Sequence, residues 1–319
     1  MSTSAPCIGI AIVSYNTREL LRACLNSLGT CRLPLRIVVV DNQSRDGSAA
    51  MLRSSFPHVE LLEPGRNLGF AAGTNLALRT LLQQGTCDYL LLLNSDTIVH
   101  AGAIEALLAF LEAHPRVGML GPRLLNTDGS VQAAAFRFPT LSMSVLDLFP
   151  PGEVFPGRLY RSWWHGRYPQ EEQASAPFPI DHPLGACILV RRSVIEEIGL
   201  LDEGYFMYAE EVDWCLRAQR AGWAIWQQPA AQVTHVGGAS TSQFRAVMNV
   251  ALYRSRLRFF KKFYAPSYVR LHRYVIAVGS LRAISIAWVD FVRGKLSREA
   301  LQEHLQSHGL VLSLMFHRF

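Results

Sequence analysis

The 319-residue chain has no CxxC pair, no low-complexity tract and no uninterrupted apolar run of about 18 residues. Its six cysteines, Cys7, Cys24, Cys31, Cys87, Cys187 and Cys215, are scattered, and several sit in apolar stretches. That pattern indicates no zinc site and fits reduced core thiols in a cytosolic protein. The N-terminus, MSTSAPCIGIAIVSYN, lacks a basic segment ahead of its apolar run, so no signal peptide is expected. The nearest approach to a membrane span, Tyr274 to Val292, is interrupted by Arg282 and Asp290, so no ordinary transmembrane helix is expected. A glycine-rich GxGxxG loop is also missing. What is present is a half-hydrophobic composition, enough for one large domain or a domain with an appendage, and a net charge of +6 with a pI near 9.1. Such a charge suits an anionic partner: a nucleotide, a phospholipid headgroup or a nucleic acid. The basic residues concentrate late in the chain and no recognition motif accompanies them, so nucleic acid is not expected.

Short β-branched or leucine-rich runs at 8–13, 36–40, 59–62, 88–93 and 117–120 alternate with helix-like segments. This alternation predicts an α/β fold with βαβ units and a mostly parallel sheet. Apolar residues at 20, 21, 24, 25 and 28, and at 103, 104, 107, 108 and 111, match helical stripes packed on such a sheet. From about 131 to 183 the pattern gives way to proline, aromatics and glycine, read as a partly ordered insert over the site. A strand at 185–190, a helix from Arg192, a helix around 211–221 ended by Gly222 and strands at 223–226 and 232–235 follow. The expected domains are 1–246 and a basic, aromatic, helical extension at 247–319. Arg254, Arg256, Arg258, Lys261 and Lys262 interleave there with Phe259, Phe260 and Phe263. That stretch reads either as a membrane-surface element or as a solvated helix face with core aromatics.

Four places carry candidate chemistry. The leucines 90–93 run directly into Asn94-Ser95-Asp96, setting a carboxylate where a buried strand meets solvent. Asp96 suits Mg2+ or Mn2+, hard ions that keep waters and bind substrate phosphate, or else it caps a helix beginning near Ala101. Asp41, directly after three valines, either accepts a hydrogen bond from a base imide or ribose hydroxyl or serves a turn. The segment Arg66-Asn67-Leu68-Gly69 to Asn75 opens a helix whose N-terminus favours an anion. Glu210, Glu211 and Asp213 crowd three carboxylates at a helix start, an arrangement that suits a general base; helix-dipole complementarity accounts more readily for one or two of them. His235, ending a strand, is either a metal or phosphate contact or a structural histidine.

Taken in order, VSYN, VVVDNQSRDGS, RNLGFAAGTN, LLLNSDT, GPRLLNTDGSVQ, GACILVRRSVIEEIGLLDEGYFMYAEEVDWCLRAQRAGW and VTHVGGAS resemble family 2 glycosyltransferases of the GT-A fold, closest to the bacterial rhamnosyltransferase-like branch. The likeness covers roughly residues 6–265. It implies an inverting, metal-dependent transferase of surface-polysaccharide synthesis. The expected donor is dTDP-rhamnose or a UDP-sugar. The acceptor would be a saccharide or a polyprenyl-diphosphate-linked one, used by a cytoplasmic protein, either free or peripheral at the inner membrane surface. Ser14, Tyr15, Asn16 and Asp41 would surround the base and ribose, with Asp96 and His235 on Mg2+ or Mn2+. Arg66, Asn67, Gly69, Asn75, Asn94, Ser95, Gly185, Ala186, Glu210, Asp213 and Trp214 would line the substrate site. The family's first DxD position is Asn94 here, and its catalytic Asp is Glu211, one methylene longer, so Glu210 and Asp213 also compete for the role of base. A sugar nucleotidyltransferase is disfavoured because VSYNTREL lacks its GxGxRL loop and lysine, and a binding protein that has lost catalysis is the other alternative. Oligomeric state is left open.

Overall fold

The computed structural model describes residues 6–149, 162–237 and 245–316. In chain order the elements begin β1 (Ile8–Ser14), α1 (Arg18–Leu28), β2 (Leu35–Asp41), α2 (Ser48–Ser55), β3 (Glu60–Leu62), α3 (Phe70–Gln84) and β4 (Tyr89–Asn94). Then come β5 (Thr97–Val99), α4 (Ala103–Ala113), β6 (Val117–Leu125), β7 (Val131–Gln132), β8 (Ala135–Phe136) and α5 (Leu141–Leu148). After these follow β9 (Phe178–Pro179), β10 (His182–Pro183), β11 (Cys187–Arg191), α6 (Arg192–Ile198), α7 (Glu210–Arg220) and β12 (Ala224–His235). The last three are helices, α8 (Arg245–Phe263), α9 (Pro266–Val292) and α10 (Arg298–Phe316).

The chain divides into two compact units, one made of 1–138, 168–206 and 210–240, the other of 139–167, 207–209 and 241–319. The first is built on a mixed sheet of order β3-β2-β1-β4-β11-β6-β12-β5, with β7 on β6 and β9 on β12. Strands β1, β2, β3 and β4 run parallel, as do β6 and β12, while β11 lies antiparallel between β4 and β6. The leucines of β4 and the isoleucines of β1 are at most 1% exposed, because helices cover both faces. Leu21, Cys24, Leu25 and Leu28 of α1 and Ile104, Leu107, Leu108 and Leu111 of α4 join the same core, the two stripes the spacing predicted. Each such leucine contributes about 1.5–3 kcal/mol by leaving water. Against β1, a Cβ at Gly9 would stand 3.1 Å from Leu81 of α3 and 3.1 Å from Leu90 of β4, so the missing side chain lets these elements approach closely.

Two local readings differ from expectation. The strands expected at 223–226 and 232–235 are one strand, β12, whose pairing with β6 shifts register between Gln228 and Gln232. Pro229 lies in that interval and has no amide proton for the ladder, so a bulge absorbs it. Second, the 131–183 stretch is shared between the units: its start and end pair with the sheet and with each other, while α5 belongs with the C-terminal helices.

In the second unit the reading of core aromatics holds for Phe259 and Phe260, both fully buried, with the Phe260 ring tilted against His272 at 4.0 Å between centroids. Helix α9 is long and apolar enough, by length and composition, to cross a membrane, with 28% of its most apolar window buried. Arg282 and Asp290 interrupt the apolar run in the sequence without lowering the average over the helix below that limit.

Candidate active site

Strand polarity gathers the chemistry at one sheet edge. Ser14 and Asp41 end β1 and β2 side by side in register, and Val13 pairs with Asn94 at the end of β4. Because β11 runs the other way, its beginning meets the same edge: the Asn94 amide donates to the Ala186 carbonyl at 2.9 Å. Gly185, one residue earlier, backs onto Glu211, where an added Cβ would stand 3.5 Å from the carboxyl carbon. At the far side His235 ends β12 paired with Thr97.

Asp96 does not cap a helix. Strand β5 intervenes, and α4 starts after Gly102, which has no side-chain cap. Asp96 is instead 9% exposed, with Oδ1 3.4 Å from His235 Nε2. His235 Nδ1 lies 2.8 Å from Gln132 Oε1, and Asn94 Nδ2 is 3.5 Å from Nε2. Gln132 is a residue that sequence reasoning did not single out; only the β6–β7 hairpin brings it here, and a lone amide gives no pattern to find.

Asp41 is buried, accepts from the Ser44 amide at 3.0 Å through Oδ2, and keeps Oδ1 out of solvent without a hydrogen-bond partner. A buried carboxylate oxygen in that condition costs about 1–3 kcal/mol or more unless something donates to it. Asn16 has a left-handed φ of 51° and receives the Arg45 amide, so it shapes the loop beside Asp41 with half-buried Tyr15 next to it. Arg66 and Asn67 are exposed ahead of α3.

Several of the residues expected at the substrate are bonded or packed within the fold. Ser14 is fully buried and Ser95 nearly so; they are bridged through Thr17, at 3.0 and 2.9 Å, in a hydroxyl chain that ties the ends of β1 and β4. Asn75 is 1% exposed and clamps Leu201 by its amide and carbonyl. Gly69, with φ of 80°, takes its place against the Phe206 carbonyl, where a side chain would not fit. Asp213 is fully buried, binding the Arg217 guanidinium at 2.7 Å and receiving the Tyr205 hydroxyl at 3.2 Å. Trp214 is fully buried with its indole N–H on the Gly199 carbonyl. These side chains are engaged by neighbours within the fold.

Removing Asp213 leaves the glutamates. Helix α7 begins just after Tyr208 and Ala209, both with left-handed φ (69° and 65°), a strained approach for residues with side chains. Glu210 is 4% exposed, and burial, then the charge of Glu211, push its carboxyl well above the usual range. Glu211 is half-buried with Oε2 out of solvent and unpartnered, and burial pushes it up to about 7. Two carboxyls so placed hold a proton near neutrality, and the outer one is the group able to exchange it.

Among the described residues no group of three or more His, Cys, Asp or Glu side chains gathers to hold a metal. Asp96 and His235 face each other as a pair.

Comparison with known proteins places this geometry. The family described as Glycosyl transferase family 2 matches residues 9–199. The chain belongs to that family. It is a glycosyltransferase whose mixed sheet and flanking helices are of GT-A type, with a helical C-terminal region. A relative from Mycobacterium tuberculosis (strain H37Rv), N-acetylglucosaminyl-diphospho-decaprenol L-rhamnosyltransferase, is 33% identical over 245 residues, covering 73% of this chain and 77% of the relative. Rhamnosyltransferase WbbL of Escherichia coli (strain K12) is 25% identical over 71% of this chain and 82% of its own. A solved mannosyltransferase, PcManGT from Pyrobaculum calidifontis in complex with GDP-Man and Mn2+, has the same fold, with TM-score 0.58 and 15% identity over 99% of this chain and 89% of that one.

Proposed function

We propose that this family 2 glycosyltransferase is inverting and uses a divalent metal. In this reading it moves rhamnose from dTDP-rhamnose, or a hexose from a UDP-sugar, to a hydroxyl of a saccharide carried on a polyprenyl diphosphate. The observation that carries the reading is the Asp96–His235 pair. At 3.4 Å apart, the Asp96 carboxylate and the His235 imidazole would together hold one divalent ion. A site with only two protein ligands suits Mg2+ or Mn2+, which keep waters and take further oxygens from a diphosphate. A divalent ion held there supplies positive charge to the departing nucleoside diphosphate. Asp41 Oδ1, the orphaned acceptor, takes a hydrogen bond from the base or ribose. Glu211 accepts the acceptor hydroxyl's proton at its carboxylate as that oxygen attacks opposite the diphosphate, a contribution of about 100-fold to 10,000-fold. The rhamnosyltransferase names of the relatives and the acceptor in the mycobacterial name support rhamnose and a lipid-linked acceptor.

Contact with a bilayer is part of the reading. On α9 the exposed Leu271, Tyr274, Val278, Leu281, Trp288 and Val292 recur at helical spacing, with exposed Arg270, Arg282 and Arg293 nearby. Aromatic and basic groups flanking an apolar stripe suit the headgroup boundary.

The test is thermal stabilisation of the purified chain by dTDP-, UDP- and GDP-sugars with and without Mn2+, followed by the anomeric configuration of the product. Metal-enhanced stabilisation by one nucleotide sugar and an inverted product are expected. Stabilisation indifferent to Mn2+, or retention of configuration, overturns the reading.

A further inference from the structure

The turn between β6 and β7, Asn126 to Gln132, carries a chain of hydrogen bonds whose direction is fixed from its outer end. Ser130 has one hydroxyl proton and gives it to Asp128 Oδ1 at 2.6 Å. Asp128 cannot return one, since the Ser130 hydroxyl and amide hold its carboxyl below the usual carboxylate range. Toward Asn126, therefore, Ser130 Oγ only accepts, and Asn126 Nδ2 lies 2.9 Å away. That orientation turns Asn126 Oδ1 toward Gln132, whose Nε2 donates to it at 3.0 Å.

The same Gln132 Nε2 faces the main-chain carbonyl of His235 at 3.3 Å, an acceptor that cannot be reversed. Two separate acceptors thus fix which end of the Gln132 amide carries nitrogen. The remaining end, Oε1, faces His235 Nδ1 at 2.8 Å, and an oxygen there requires the proton on Nδ1. On the neutral ring Nε2 is then bare. It points at the Asp96 carboxylate, 3.4 Å off, and the Asn94 amide nitrogen lies 3.5 Å away as a weak donor.

We infer that the 126–132 turn is a positioning device that holds His235 as its Nδ1–H tautomer, with Gln132 as the residue that sets it. Its effect is to keep the Nε2 lone pair directed beside Asp96 before any cation arrives. The alternative tautomer would place an Nε2 proton on Asp96 and close the pair against a metal. The consequence for metal affinity rests on the ligand roles proposed above; the tautomer itself does not.

The experiment is long-range proton–nitrogen NMR of the histidine rings in the 15N-labelled full chain, without metal, at about pH 8, above the ordinary histidine range. The His235→Gln variant identifies the His235 signals. The expected wild-type pattern is Nδ1 protonated and Nε2 bare. Gln132→Leu should move the ring toward Nε2–H, whereas Gln132→Glu, which keeps an acceptor at Nδ1, should retain the Nδ1–H form. In parallel, Mn2+ binding followed by electron paramagnetic resonance should weaken about 10- to 100-fold in Gln132→Leu, the usual effect of losing a group that orients a metal-ligating histidine. An Nε2–H ring in the wild type, read without any variant, overturns the inference, as does a Gln132→Leu ring unchanged in tautomer. A wild-type ring in the Nδ1–H form with no Mn2+ binding supports the inference while removing the metal reading of the preceding section.

Discussion

Replacing Glu211 by glutamine should destroy transfer and yet stabilise the protein, and the gain should depend on pH. Burial raises the Glu211 carboxyl from the ordinary 4.5 to about 7. Folded chains therefore hold a proton that unfolded chains release, and stability falls as pH rises from 4.5 toward 7, then levels off. A shift of that size corresponds to about 3 kcal/mol at 1.36 kcal/mol per pH unit. Glutamine carries no charge at any pH, so Glu211→Gln removes this loss: no gain near pH 4.5, and up to about 3 kcal/mol at pH 8. At roughly 2–4 °C per kcal/mol, the melting temperature at pH 8 should rise by about 6–12 °C. Thermal unfolding of both proteins across the pH range, without nucleotide or metal, is the assay. A gain that is absent at pH 8, or equal at both ends, would refute the claim that the carboxylate is held in a desolvated place. Stability gained as activity disappears is also what separates a functional carboxylate from a structural one.

Other outcomes follow from the same geometry. The rate of transfer by the wild type should rise with pH through about 7, as Glu211 loses its proton; a flat profile across that interval would exclude it as base. EDTA should abolish transfer reversibly, and Asp96→Asn should weaken Mn2+ binding at least ~10-fold with little change in unfolding temperature, both checked by titration and turnover. Gly69→Ala should cost roughly 2–4 kcal/mol in urea unfolding, since a Cβ there would lie 2.4 Å from the Phe206 carbonyl at a φ of 80°. Leu281→Glu combined with Trp288→Glu, both on exposed positions of α9, should reduce co-sedimentation with anionic vesicles while leaving nucleotide binding intact.

Local pattern carried much of the fold. Runs of β-branched residues and leucine marked β1, β2, β4 and β6, and helical spacing marked α1 and α4, because burial on a sheet imposes those periods directly on the chain. What pattern could not carry was pairing. Nothing in Cys187–Arg191 announces that this strand runs backwards between β4 and β6, since strand direction is decided by partners about 70 to 100 residues away in the chain. The site divides the same way. Asp41, Asp96 and His235 were legible as polar residues ending apolar strands. Asp213 stands in the acidic cluster, and the structure pairs it with Arg217 four residues on, a spacing that places two side chains on one helix face. Gln132 was invisible because its meaning lies wholly in the histidine it meets.

The reversed strand has a practical consequence. Since β11 begins where β4 finishes, the peptide leading into it, through Gly185 and Ala186, reaches Glu211 without interrupting the four parallel strands, of which β2 ends in Asp41 and β4 leads to Asp96. On the proposed reading, chimeras that exchange this leading peptide between relatives offer a route to redirecting the enzyme toward new hydroxyls while its donor preference stays as inherited.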